Sequence, residues 1–165
     1  MQTKAFALRR SMSMIHIREA TIEDIPVILH HRVGMVTSMG WSDEQIAATR
    51  EATLKFLQEP WNPNISCYLA IEDSKVIGSC AVSFGIAFPT YNNPSGRYAY
   101  LFNMFVEPRR RGRGVARLLL THITQVCREK GIDKMTLHDT KMSRGLYERD
   151  GFVKSENYFI KIITD

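Results

Sequence analysis

Four arginines and two glycines, Arg109-Arg110-Arg111-Gly112-Arg113-Gly114, link an apolar run ending at Val106 to an amphipathic stretch opening at Val115. A strand that feeds a helix through glycines leaves the first N–H groups of that helix unpaired, and the helix dipole adds partial positive charge there. Together they form a receptacle for phosphate. Gly112 and Gly114 allow close approach of the backbone to an anion, because no Cβ intervenes. Arg111 and Arg113 are the expected charge-assisted partners, with Arg109 and Arg110 divided between rim contact and plain solvation. An R-G-x-G turn is a weak signal alone. No Gly-Lys-Ser/Thr follows, so it is not a Walker A loop, and the downstream context of a dinucleotide fingerprint is missing. A basic cluster in a chain of net charge +5 calls for an anionic partner, either a small phosphorylated cofactor or nucleic acid.

The neighbours of the turn narrow the choice. Arg111-Gly112-Arg113-Gly114-Val115-Ala116 resembles the R/Q-x-x-G-x-G/A signature of the GNAT superfamily of N-acetyltransferases. Asn103-Met104-Phe105-Val106-Glu107-Pro108 is similar to that family's fourth strand and its exit. Leu146-Tyr147-Glu148-Arg149-Asp150-Gly151-Phe152 resembles the element that closes its cofactor cleft, and Ile17-Arg18-Glu19-Ala20-Thr21 with Asp24 its opening strand and helix entry. The resemblance implies an α/β (α+β) GNAT fold: a mixed, mostly antiparallel sheet of six to seven strands, splayed between strands 4 and 5 and flanked by about four helices. It implies acetyl-CoA as co-substrate, an amine as acceptor, no metal, and a homodimer as one assembly. The pantetheine arm would pair with main chain near Met104 and Val106, and the pyrophosphate would sit on the amides of Arg111 to Ala116. Thr140 and Ser143 stand where the family usually has Asn and Ala beside the pantetheine, which is a departure from its pattern.

The same resemblance assigns chemistry. An amine must be neutral to attack a thioester, yet a lysine-like amine has a pKa near ~10.4. A base or water chain must therefore take a proton, and Glu107, His138 and Asp139 lie near the expected cleft. The N–H near Val106 is the expected oxyanion donor. Tyr147 matches the family's general acid. A phenol near ~10 protonates a thiolate near ~8.5 uphill, so either the site lowers the Tyr147 pKa, as nearby basic side chains favour, or Tyr147 only hydrogen-bonds the thiolate. Met35, Met39 and Trp41, at the link between the first two helices, are expected on the acceptor side, and Asn103 facing the cleft. His30 and His31, being adjacent, are not expected to share a helix face or bind metal. His122 reads as a core histidine.

These side chains need elements to position them. Ile15 and Ile17 alternate with polar neighbours as a short strand. Thr21 and Ser42 each open a capping box, giving a helix to about Met39 with Ile25, Ile28, Leu29 and Arg32 on one stripe, and a second helix ending before Pro60. A hairpin over 66–88 turns at Glu72-Asp73-Ser74-Lys75, and Pro89–Gly96 is an irregular loop. Tyr98–Val106 reads as a strand buried on both faces. A helix follows from about Gly114 to Lys130, with Val115, Leu118, Leu119, His122 and Val126 inward. Ile132–His138 is a strand, Ser143–Asp150 a helix, and Phe152–Ile162 a closing strand.

Composition limits the alternatives. At 165 residues, 44% hydrophobic and 24% charged, the chain fits one domain over 14–165 rather than a disordered chain. No apolar run reaches the ~18 residues of a membrane span. Cys67, Cys80 and Cys127 are odd in number and lack a C-x-x-C pair, as expected of small buried residues in a reducing cytoplasm. Residues 1–13 read as a flexible extension, in preference to a mitochondrial presequence. Two rival functions stand beside the transferase: an acyl-CoA sensor without turnover, and a nucleic-acid-binding module. The second is disfavoured because the basic residues sit in one turn, with no interleaved aromatic platform.

Overall fold

The computed structural model describes residues 14–59, 63–155 and 161. Its sheet runs β1 (His16–Glu19), β2 (Ile65–Glu72), β3 (Lys75–Ile86), β4 (Arg97–Val106) and β5 (Lys134–Leu137), in that spatial order. The first four strands are antiparallel, while β5 runs parallel to β4. Five strands thus stand among the described residues, against the six to seven expected. The expected closing strand is not formed over 152–155, and most of its remainder lies outside the described residues, as does the extension at 1–13.

Successive residues of β2 point to opposite faces. Leu69 and Ile71 join Ile28 and Leu57 beneath α1 (Ile25–Ser38) and α2 (Asp43–Gln58). Tyr68 and Ala70 join Leu119, Leu120 and Ile123 of α3 (Val115–Glu129) on the other face. α4 (Arg144–Arg149) is the last helix among the described residues. Both capping boxes form, and Arg18 grips Asp24 through two bonds of 2.7 and 2.9 Å. That grip holds the Asp24 carboxyl down to about 2 and ties β1 to the start of α1.

The buried row of α3 is Val115, Leu119, Leu120, Ile123 and Cys127; Leu118 is exposed, and His122 half-buried with its ring edge-on to Tyr68. The helix is turned about one position from the expected stripe, because the i, i+4, i+8 ridge of 115, 119 and 123 makes the sheet contact.

β4 departs from a regular strand where it matters most. Ser79 pairs with Phe105 but Ala81 with Phe102, so β4 carries one extra residue. Asn103 absorbs it with φ of +53°, a conformation Asn tolerates better than most side chains. The bulge reverses the alternation: Leu101 packs beneath α3 before it, Met104 and Val106 after it. Phe105 instead faces α1, stacking against His31 at 4.9 Å. The strand is covered on both faces as expected, but unevenly, because its even-numbered residues are only half-buried. β5 pairs only with Tyr98–Leu101. From Phe102 onward the two strands part.

Candidate active site

The opening between β4 and β5 is lined by the main chain of β4. Glu107 N–H donates to Ile77 O. In an antiparallel ladder the preceding residue then points its groups the other way, so Val106 turns its N–H and C=O toward the gap. The Val106 carbonyl accepts from Arg111 Nε at 3.0 Å, and the Arg111 guanidinium lies 5.6 Å from the centre of the Phe105 ring. Arg111 therefore acts as a strut that fixes the turn to the strand.

Beyond it, Gly112 and Gly114 take φ of +73° and +81°, and a Cβ on either would meet nothing within 4 Å. The glycines are required by backbone conformation, and the space over them is open. Gly114 is the N-cap of α3 and supplies no side-chain cap; the first turn holds no acidic residue. The first backbone bond into this turn is Leu118 N–H to Gly114 O, at 3.0 Å, so the amides of Val115, Ala116 and Arg117 have no intrahelical acceptor. An uncapped terminus of this kind fits a diphosphate.

Two of the remaining three arginines are organised by a residue that the sequence places in a polar turn. Glu72 is 2% exposed, and its two oxygens lie 2.7 Å from Arg110 Nη1 and 3.1 Å from Arg113 Nη2. Asp73 and Ser74, both at positive φ, make the hairpin turn without it. The pairing brings the end of β2 to the glycine turn across 38 positions of sequence, counting Glu72 to Arg110. No local pattern could have revealed it.

A second group sits beside the parting point of β4 and β5. The Tyr100 hydroxyl hydrogen-bonds His138 Nδ1, and His138 directly follows the last paired residue, Leu137. Tyr98, Tyr100, His138 and Tyr147 line one cavity of about 860 Å³. Tyr147 is 7% exposed and edge-on to Phe152. Burial pushes its phenol up to about 12, opposite to the downward shift that the basic neighbours favoured. Asp139 is paired with Arg144 at 2.7 Å, which holds its carboxyl low and occupies it. Thr140 and Ser143 satisfy each other: the Ser143 hydroxyl accepts from Thr140 N–H at 2.9 Å, and the two oxygens lie 3.0 Å apart. Where the family pattern has Asn and Ala, this chain has a turn closed by its own two hydroxyls just ahead of α4.

Glu107 serves the opposite end of β4. One of its oxygens lies 3.1 Å from His30 Nε2 and 3.3 Å from His31 Nε2, and His31 Nδ1 is 2.7 Å from Ser79 Oγ. Two adjacent helical residues therefore do converge on one point, contrary to the sequence expectation, because both rings lean toward the carboxylate between them. Burial pushes His31 down to about 4, leaving it neutral at pH 7. Tyr100 and Glu107 are seven positions apart, so the two groups occupy different stretches of β4.

A cavity of about 750 Å³ lies on the α1–α2 face, with Arg32, Thr49, Thr53, Tyr100 and Asn103 among its walls. It shares Ser83 and Tyr100 with the first. The two helices line it as expected, but Met35, Met39 and Trp41 do not. Met39 and Trp41 lie at the exposed link, beyond the reach of the cavity, whose floor is the sheet.

Residues 35–152 match the profile of the acetyltransferase (GNAT) family. The chain belongs to that family. A predicted acetyltransferase from Clostridium acetobutylicum, solved with acetyl-CoA, superposes with a TM-score of 0.78 at 28% identity, covering 90% of this chain and 96% of that one. Thialysine N-epsilon-acetyltransferase from Bos taurus is 26% identical over 76% of this chain and 75% of its own. N-acetyltransferase family 8 member 2 from Rattus norvegicus is 31% identical over 61% of this chain, which spans 44% of the rat protein's length. In this GNAT chain, no helix among the described residues is long and apolar enough to cross a membrane.

Proposed function

We propose that this GNAT chain is an N-acetyltransferase that moves an acetyl group from acetyl-CoA to a primary amine within a ternary complex. The observation that carries the reading is the uncapped, glycine-opened start of α3 beside the stretch of β4 that β5 does not pair. Arg111–Ala116 would hold the pyrophosphate, and Met104 and Val106 the pantetheine. Acetyl-CoA supplies an activated thioester, whose C–S bond breaks as the amine's C–N bond forms.

The chain's own residues supply the rest. Val106 N–H faces the gap and is suited to donate to the carbonyl oxygen as charge builds on it. His138, held by Tyr100 at the parting point, is the base this geometry favours over Glu107 or Asp139. It would take the proton the amine must lose by way of intervening water, since Val106 lies six positions beyond Tyr100 along β4. Tyr147 donates a hydrogen bond to the departing sulfur but keeps its proton, because a phenol near 12 gives it to a thiolate near ~8.5 only at a cost of about 5 kcal/mol. Direct transfer is also supported by Cys67, a thiol on the α1–α2 cavity wall that burial pushes up to about 12. It carries almost no thiolate with which to form an acyl intermediate.

Tyr147→Phe tests this role through thiol release from acetyl-CoA. We expect kcat to fall about 10- to 100-fold with little change in the KM for acetyl-CoA. The pH profile should keep its shape between pH 6 and 9.5, since a group titrating near 12 stays protonated throughout. An alkaline limb in the wild type that disappears in the variant would contradict the assignment.

A further inference from the structure

Arg32 continues the inward stripe of α1 into the α1–α2 cavity, where it is half-buried. It has no carboxylate partner among the described residues, and burial alone pushes its pKa down. Glu59, the other charged side chain on the cavity wall, stands exposed and makes no ion pair with Arg32. A guanidinium withdrawn from water costs free energy unless an anion or several acceptors meet it.

The same cavity holds the complementary defect. Asn103 is 9% exposed, and its buried Oδ1 has no hydrogen-bond donor. It sits on the bulge of β4, where the strands part. The remaining walls mix apolar side chains, among them Ile28, Phe56 and Phe102, with the hydroxyls of Thr49 and Thr53. An unsatisfied cation and an unsatisfied acceptor in one cavity describe a ligand by contrast.

We propose that the acceptor is an amine that also carries a carboxylate, such as an amino acid, with its carboxylate on the Arg32 fork and an amine N–H on Asn103 Oδ1. A planar guanidinium matches a carboxylate through two parallel bonds, and a cavity of about 750 Å³ suits a molecule of that size. The amine nitrogen then faces the gap beside Tyr100. There it bonds to the acyl carbon, its proton leaves toward His138, and the sulfur departs with the C–S electron pair. This placement rests on the transferase reading given above.

The test uses matched acceptors: lysine against cadaverine, and phenylalanine against 2-phenylethylamine, together with each amino acid's amide. Calorimetry first measures uptake of acetyl-CoA; binding and thiol release are then measured for each pair. We expect kcat/KM to favour the carboxylated member of at least one pair by about 30-fold or more. Arg32→Gln should reduce that preference to within about threefold, with Arg32→Lys intermediate and the KM for acetyl-CoA unchanged. Equal response to both members of every pair, silence included, overturns the carboxylate inference alone. A preference that survives in Arg32→Gln also overturns it. Failure to take up acetyl-CoA sinks both this inference and the transferase reading.

Discussion

Replacing Gly114 by valine should raise the KM for acetyl-CoA about 100-fold or more while the protein still folds. Gly114 holds φ of +81° at the N-cap of α3, over open space. A β-branched residue there strains the backbone by roughly 1–2 kcal/mol and sets two methyl groups where a diphosphate would meet the bare amides. Gly131, at the other end of the same helix, supplies the control. It also has positive φ, +62°, and open space around it, yet lies far from the glycine turn. Gly131→Val should lose comparable stability and keep the KM for acetyl-CoA. Steady-state kinetics and thermal melts on the pair separate strain from obstruction. Equal KM in both variants would remove the helix start from the cofactor site.

The second large effect concerns stability. Arg110→Ala together with Arg113→Ala leaves the carboxylate of Glu72 buried without a cation. Removing the partners of a buried charge is typically destabilising by about 3–5 kcal/mol. The arginines are 35% and 49% exposed, which dilutes each pair taken singly, but Glu72 itself is 2% exposed. Adding Glu72→Leu should restore much of the loss, because no charge then remains to be compensated. Denaturant unfolding of the single, double and triple variants measures this. A triple variant no more stable than the double would mean that Glu72 is not the group the arginines serve.

These two variants mark what the sequence could and could not disclose. Gly114 was legible because a left-handed N-cap ahead of an amphipathic run has a local signature. So were the two capping boxes, the hairpin and the parting of β4 from β5, each resting on short-range pattern or on the family resemblance. Glu72 was not legible: a carboxylate beside Asp-Ser in a hairpin looks solvated until the fold carries two arginines to it. The bulge at Asn103 was hidden by the apolar run around it, since a register break is a property of two strands. His30 and His31 were misjudged from a helix considered without Glu107, which approaches from another element. Met35, Met39 and Trp41 were expected on the acceptor side, and the cavity on the α1–α2 face is lined without them, by the helix bodies and the sheet beneath. Arg32 was visible on its stripe, but its lack of a partner is a fact of three dimensions.

The central claim is that unpaired amides at the start of α3 bind the pyrophosphate of coenzyme A. Titrating coenzyme A into ¹⁵N-labelled protein and following the backbone N–H resonances tests it most directly. The account predicts that Gly114, Val115 and Ala116 shift furthest and downfield, and that pantetheine, which lacks the pyrophosphate, leaves them in place. Saturable binding that moves other amides and spares these three would contradict it.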